Sequence, residues 1–364
     1  MKINTYTQMI VELLNNSKDN KENFLTSLTF LSNILQVQSS VPFSWCGTKI
    51  KMDNELNEVF DFLHSEKIKK TNCGYDTIVD IFGGAGNSML VLEDSLKVSG
   101  VKNFILNDIN PVIYQTHLDY KENPNELRNE FSEIIRTKFI KRYGTIFLEK
   151  KKFEEVIAIL VDELKNLEDK KQYSSSSSIL FIILRDLAYS GAINFHSDGT
   201  FKFSKKIYDL KRYFPWFFRQ LNRISYFSKI YNDLDIQIYN LDCFELLEMK
   251  GIKGNPNALI NLDPPYIKQT TKNYAFEELE HLTSKELKDC DIDYNQKFPH
   301  IELLKLLPNY NFIYNNNSHP IVNFYANKIN SNSKPFNRKE VMTSKKDKEV
   351  KIVEETILFK NSII

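Results

Sequence analysis

With 364 residues, 42% of them apolar, the chain can bury a large core and fits one elaborated domain or two. Its 48 basic and 47 acidic residues nearly cancel, which excludes a polybasic coat and leaves phosphate binding to local patches. Even the most apolar run, 179–184, is too short to span a bilayer, and the polar opening residues do not form a secretory signal, so a cytoplasmic protein is expected.

In chain order, residues 1–40 place Ile10, Leu13, Leu14, Phe24, Leu25, Leu28 and Leu31 at mixed helical spacing and predict an N-terminal helical extension. The β-branched run 77–82 leads into a glycine turn and then an apolar stretch from Ser88, which reads as strand, loop, helix. A second run, 103–106, ends at Asn107-Asp108, and Pro111 suits the first turn of the next helix. The same pattern recurs at 236–239, 258–262 and 311–314. The expected fold is therefore α/β, with a doubly wound, mostly parallel sheet. Segments 340–343 and 354–359 flank a lysine-rich loop and predict a C-terminal antiparallel hairpin at the sheet edge.

Residues 121–235 do not follow this rhythm and predict an inserted, mainly helical lobe, leaving 41–120 and 236–364 as the catalytic body. Within the lobe, the serine tract 174–178 marks a helix entry or a short linker. The cysteines Cys46, Cys73, Cys243 and Cys290 are scattered, with no Cys-x-x-Cys pair. Neither a zinc site nor a disulfide framework is expected, and they read as reduced, mostly packing thiols.

Two motifs carry chemistry. In Asp80-Ile81-Phe82-Gly83-Gly84-Ala85-Gly86, glycines fall where the chain must turn after a strand and let a ligand approach its backbone. Asp108 follows at the spacing that lets an acid accept from ribose hydroxyls, so the pair points to a nucleoside cofactor. Asp80 would repel a pyrophosphate but suits the cationic amino group of a methionine moiety.

The second motif is Asp263-Pro264-Pro265-Tyr266, at the end of an apolar strand. Two prolines fix the backbone and remove two N–H donors, leaving carbonyl oxygens and the Asp263 carboxylate as a rigid acceptor edge. A planar amino group such as adenine's is a poor nucleophile. Acceptors at Asp263 and the Pro264 carbonyl would free its lone pair as charge develops, with Tyr266 stacked on the extruded base.

In this order the motifs resemble those of the Dam-type DNA N6-adenine methyltransferases, where cofactor loop, recognition region and Asp-Pro-Pro-Tyr follow one another. The family's N-terminal signature stands here as Pro42-Phe43-Ser44-Trp45-Cys46-Gly47-Thr48-Lys49, and its Asn-Asp-x-Asn segment as Asn107-Asp108-Ile109-Asn110. The resemblance covers about residues 40–360 and implies a Rossmann-like methyltransferase fold with S-adenosylmethionine as cofactor. It implies that Trp45, Gly47 and Lys49 line the methionine end, that Phe82, Gly83, Gly84 and Gly86 form the loop, and that Asp242 contacts the cofactor's adenine amino group. The implied reaction is direct, site-specific methyl transfer to a flipped adenine in double-stranded DNA. A cognate restriction endonuclease is a further expected partner.

Residues 186–201 resemble the family's recognition hairpin, with Ser197-Asp198-Gly199 as its turn and His196 beside it. Asn194 stands where GATC-specific members carry a guanine-reading arginine, and Ser204 replaces the usual proline; the target sequence stays open. From 202 to 229, Lys202, Lys205, Lys206, Lys211, Arg212, Arg219, Arg223 and Lys229 face only Asp209 as counter-charge and read as a phosphate grip. Phe214, Phe217, Phe218 and Leu221 in the same stretch read as core. Lys345, Lys346 and Lys348 form a lesser patch.

Rival readings place the same chemistry on cytosine N4, an RNA adenine or a glutamine amide. The acidic first residue of the tetrapeptide favours adenine. A non-catalytic DNA-binding regulator and a nicotinamide oxidoreductase are the other classes. Retention of Asp80, Asp263 and Tyr266 counts against the first, and the tetrapeptide has no task in the second.

Overall fold

The computed structural model describes residues 3–35, 42–43, 52–188, 193, 201, 210–265, 299–317, 320–343 and 348–361. The strands are β1 (Thr77–Asp80), β2 (Asn103–Asn107), β3 (Gln237–Tyr239), β4 (Ala258–Leu262), β5 (Asn311–Asn317), β6 (Asn332–Thr343) and β7 (Lys348–Asn361). They form a seven-stranded sheet in the order β3-β2-β1-β4-β5-β7-β6. The fold is mixed α/β, as expected.

The chain divides into two compact units. The sheet unit comprises residues 49–83, 87–109 and 241–364. In it β1 runs parallel to β2 and β4, with Thr77 opposite Asn103 and Ala258, and β4 runs parallel to β5. Every residue of β1 and β4 is buried. Continuous apolar runs are what parallel strands covered on both faces require, and these runs made them legible. The strands β7 and β6 close the sheet as an antiparallel pair, β7 against β5.

Helix α3 (Asp53–Thr71) sets the entry to β1. Acids Asp53 and Glu55 in its first turn and Lys69 and Lys70 in its last complement the helix dipole, and Asn72 caps it in the left-handed region at φ 60°. Its buried Lys67 Nζ donates to the Gly74 carbonyl at 2.9 Å and to Asn257 Oδ1 at 2.7 Å, tying the helix to the turns before β1 and β4. Among the described residues the other α-helices of this unit are α4 (Asn87–Ser99), α10 (Cys243–Leu247), α11 (His300–Leu306) and α12 (Pro320–Lys328).

The helical unit comprises residues 1–48, 84–86 and 110–240. It holds α1 (Ile3–Ser17), α2 (Lys21–Leu35), α5 (Pro111–Glu122), α6 (Pro124–Ile134), a π-helical stretch (Ile135–Lys141), α7 (Lys150–Asp169), α8 (Ser175–Leu187) and α9 (Leu210–Asp233). Pro111 opens α5, where Asn110 Oδ1 accepts from the Val112 N–H at 2.9 Å. The serine tract starts α8. Ser177 Oγ accepts from the Ser174 N–H at 2.9 Å, while Ser175 and Ser178 donate to the buried Asp119 carboxylate at 3.1 and 2.6 Å. Small hydroxyl residues are needed there because the first turn of α8 packs against α5.

Two expectations need correction. Cys73 is exposed, so only Cys243 of the described cysteines is a packing thiol. Residues 186–187 do not begin a hairpin: they are the last residues of α8, and Asp186 forms a buried ion pair with Arg223. Among the described residues no helix is long and apolar enough to cross a membrane.

Candidate active site

The glycine loop leaves β1 at the sheet's C-terminal edge. The Ile81 N–H donates to the Asn261 carbonyl at 3.1 Å and the Gly83 N–H to the Asn107 carbonyl at 2.7 Å, so the loop begins as an extension of the ladder. A Cβ on Gly83 would lie 2.7 Å from Leu106 Cδ1 and 3.0 Å from the Asn107 carbonyl. That glycine is required by the approach of β2. Gly84 and Gly86 have φ of 49° and 69°, where only glycine is unstrained.

In the helical unit, the Gly84 carbonyl is held by His117, whose Nε2 lies 2.8 Å away, while Nδ1 lies 2.5 Å from the Tyr231 hydroxyl. A carbonyl can only accept, so Nε2 carries the proton and Nδ1 accepts from Tyr231. Burial pushes the imidazole pKa down to about 4, the Gly84 carbonyl opposing in part, so the ring is neutral. Phe43 packs against this ring and against Phe181, and the Pro42 carbonyl accepts from Tyr120 at 2.7 Å. His117 and Tyr231 carried no sequence signal, because a histidine inside an amphipathic helix reads as ordinary core.

In the sheet unit, the buried Asn107 at the end of β2 donates from Nδ2 to the Ile81 carbonyl at 3.0 Å and the Leu241 carbonyl at 3.1 Å, and accepts from the Leu241 N–H at 2.9 Å. It joins the glycine loop to the turn that carries Asp242. Asp108, next in the chain, is half-buried. Asp242 is the N-cap of α10, accepting from the Phe244 N–H at 2.9 Å, and Glu245 returns to its N–H at 3.4 Å in a capping box. A structural task thus accounts for part of Asp242's acceptor capacity.

Asp80 ends β1 opposite Asn261 of β4 and is 1% exposed. Burial above all, then repulsion from Asp263 and Asp108, pushes its carboxyl up to about 7, against the Asn261 side chain and the Phe82 N–H, which favour the anion. Neither carboxylate oxygen completes a hydrogen bond of normal geometry among the described residues. A buried carboxylate whose oxygens complete no hydrogen bond with these neighbours fits a cationic or donor-rich ligand group. Two residues beyond Asn261, Asp263 is half-buried, Pro264 buried and Pro265 exposed, and these three residues are in neither helix nor strand. Asp108 and Asp263 are each close enough to Asp80 to act on its charge, and the three follow or end neighbouring parallel strands.

Trp45, Gly47, Lys49, Tyr266, Asn194, His196, Lys202, Lys205 and Lys206 lie outside the described residues, as do the interior of the expected recognition hairpin and residues 345 and 346 of the lysine patch. Arg212 is in α9, but its side chain is outside them too. Phe218 and Leu221 are core, as expected. Arg223 is not a phosphate ligand: it is 3% exposed and ion-paired with Asp186, which precedes the basic stretch 202–229 in the sequence.

A comparison with curated proteins finds no match. The sequence model of D12 class N6 adenine-specific DNA methyltransferases matches residues 45–300, more than half of the chain, from the N-terminal signature past the tetrapeptide. Glycine loop, acid-bearing strand ends and Asp-Pro-Pro edge all lie within that match, and the chain belongs to the D12 class N6 adenine-specific DNA methyltransferase family.

Proposed function

We propose that the chain is an active, site-specific methyltransferase that uses S-adenosylmethionine to methylate N6 of adenine in double-stranded DNA. The observation that carries this is the pairing of a buried carboxylate that completes no hydrogen bond, Asp80, with the half-buried Asp263 that opens the Asp-Pro-Pro edge just past the end of the adjacent strand, close enough for their charges to interact.

When bound, S-adenosylmethionine supplies a methyl group on a cationic sulfur. Asp80, buried at the end of β1, would hold its ammonium group. Asp108 accepts from the ribose hydroxyls. Asp242 turns the acceptor capacity left over from its cap to the adenine amino group. Phe82, Gly83, Gly84 and Gly86 frame the loop, and Trp45, Gly47 and Lys49 complete the methionine end.

The residues of the tetrapeptide do the chemistry. The flipped adenine donates its two amino hydrogens to Asp263 Oδ and the Pro264 carbonyl, which favours pyramidal nitrogen and directs its lone pair at the methyl. Prolines at 264 and 265 hold that edge rigid, and Tyr266 stacks on the base. Asn194 and His196 read base edges, while Lys202, Lys205, Lys206 and Arg212 hold phosphates. The helical unit serves chiefly recognition, and the enzyme works in the cytoplasm.

The test is methyl transfer from labelled S-adenosylmethionine to duplex DNA, followed by nucleoside digestion. Asp263→Ala should lose N6-methyladenine formation by roughly a hundredfold or more while keeping cofactor affinity within a few-fold. Undiminished turnover in that variant, or label recovered in another base, refutes the assignment.

A further inference from the structure

Asp80, Asn261 and Asn315 form a polar row across three parallel strands. Asp80 is opposite Asn261 in the β1–β4 register, and Asn315 is two residues beyond Ile313, the partner of Asn261 in β5. Side chains alternate along a strand, so all three share one face of the sheet. They are 1%, 2% and 1% exposed.

Asn315 Nδ2 donates to Asn261 Oδ1 at 3.4 Å. With its oxygen so engaged, Asn261 has its own amide hydrogens turned toward no other partner, and its side chain, opposite Asp80 in the register, favours the charged form of that carboxylate. The remaining donor is the Phe82 N–H, while Asp263 from the end of β4 and Asp108 from the end of β2 oppose the charge. Neither Asn261 Nδ2 nor Asn315 Oδ1 completes a hydrogen bond of normal geometry among the described residues. Two amides held dry in this way cost stability that apolar residues at the same positions would not. Sheet packing alone gives no reason for them.

We propose that Asn261 and Asn315 are positioning residues, a two-amide relay across the strand ends that holds the Asp80 carboxylate in place to receive the positively charged end of the cofactor. The relay rests on the cofactor role proposed for Asp80. Asn315 orients Asn261, and Asn261, opposite Asp80 in the register, is the side-chain amide that favours the charged carboxylate. Without it the carboxylate faces Asp263 and Asp108 with one backbone N–H in support.

The experiment is calorimetric titration of the full chain with S-adenosylmethionine from pH 5 to 9, for the native protein and for Asn261→Leu, Asn315→Ser and Asp80→Asn. Native binding should weaken as pH falls through the neutral range. Asn261→Leu should bind about tenfold more weakly at pH 7, with the midpoint of this dependence moved about one unit toward alkaline pH. Asn315→Ser should move it the same way by less, and it carries the test if Asn261→Leu does not fold by circular dichroism. A midpoint unmoved in the folded variants overturns the relay, whether or not affinity falls. Unchanged affinity in Asp80→Asn would instead overturn the role given to Asp80.

Discussion

The Gly84 carbonyl and His117 Nε2 meet at 2.8 Å, so the left-handed turn of the glycine loop is fixed by a side chain from the helical unit to which both belong. The same ring takes the Tyr231 hydroxyl. His117→Phe keeps ring volume against Phe43 but leaves a carbonyl and a hydroxyl without this partner, which should cost about 2–4 kcal/mol in urea denaturation. The pH dependence is a second readout. Burial lowers this imidazole from 6.5 to about 4, so on acidification the unfolded chain takes up the proton first. Stability contributed by the neutral ring is present above pH 6.5 and declines down to about pH 4, and the variant should lack that decline. An equal slope in both proteins would contradict a neutral buried His117.

Asp80 has the opposite sign. Its folded-state value of about 7 lies above the ordinary 3.8, so the folded protein holds this proton more tightly than the unfolded chain. Burying the group costs least below pH 3.8, progressively more up to pH 7, and the full amount above it. Asp80→Asn should therefore leave unliganded stability little changed near pH 4 and raise it above pH 7 by up to about 4 kcal/mol, while weakening cofactor binding. Thermal unfolding at pH 4 and pH 8 without ligand measures the difference. A variant no more stable at pH 8 would show that the carboxylate is not desolvated as its burial implies.

How much of this was legible follows from what each residue touches. The strand at 258–262 is legible to the residue because Ala258, Leu259, Ile260 and Leu262 form a short apolar run, although nothing in their polarity shows that Asn261 is buried with them. The hairpin strands extend well beyond 340–343 and 354–359, because Asn332, Ser333 and Lys334 are paired through the backbone and carry no apolar signal. The glycine motif was legible as a turn, but the need for Gly83 lies in Leu106, a contact across the sheet. Asn107 stood within a recognised motif, yet only its neighbour Asp108 was given a task, since stapling two turns depends on Ile81 and Leu241 meeting in space.

Arg223 and Asp186 illustrate the same limit and give a third prediction. Both side chains are 3% exposed and ion-paired, and Arg223 also donates to Gln220 Oε1 at 3.0 Å. Removing one partner of such a pair strands the other charge in the core. Asp186→Ala should cost about 3–5 kcal/mol, whereas Arg223→Met with Asp186→Leu together should recover most of the loss. The check is a double-mutant cycle by chemical denaturation. DNA affinity in the doubly substituted protein should keep its native salt dependence, since Arg223 holds no phosphate; a reduced salt slope would restore it to the DNA grip.

Asn107 supplies the most stringent test of how the loop is held. Its Oδ1 accepts from the Leu241 N–H while its Nδ2 donates to the Ile81 and Leu241 carbonyls, so each end of the amide has a fixed partner of opposite character. Asn107→Asp is nearly isosteric but sets a carboxylate oxygen against two carbonyls, converting two attractions into repulsions and leaving a buried charge. Asn107→Ala loses the bonds without adding repulsion. The aspartate variant should therefore be the less stable of the two at pH 7, by about 1–3 kcal/mol, although it resembles the native side chain more closely. Below pH 4 the introduced carboxyl is protonated and regains a donor, and the order should narrow or reverse. Because the same amide spans from the glycine loop to the turn bearing Asp242, both variants should also weaken S-adenosylmethionine binding in calorimetry. An aspartate variant as stable as the native protein at pH 7 would mean that this amide does not staple the two turns.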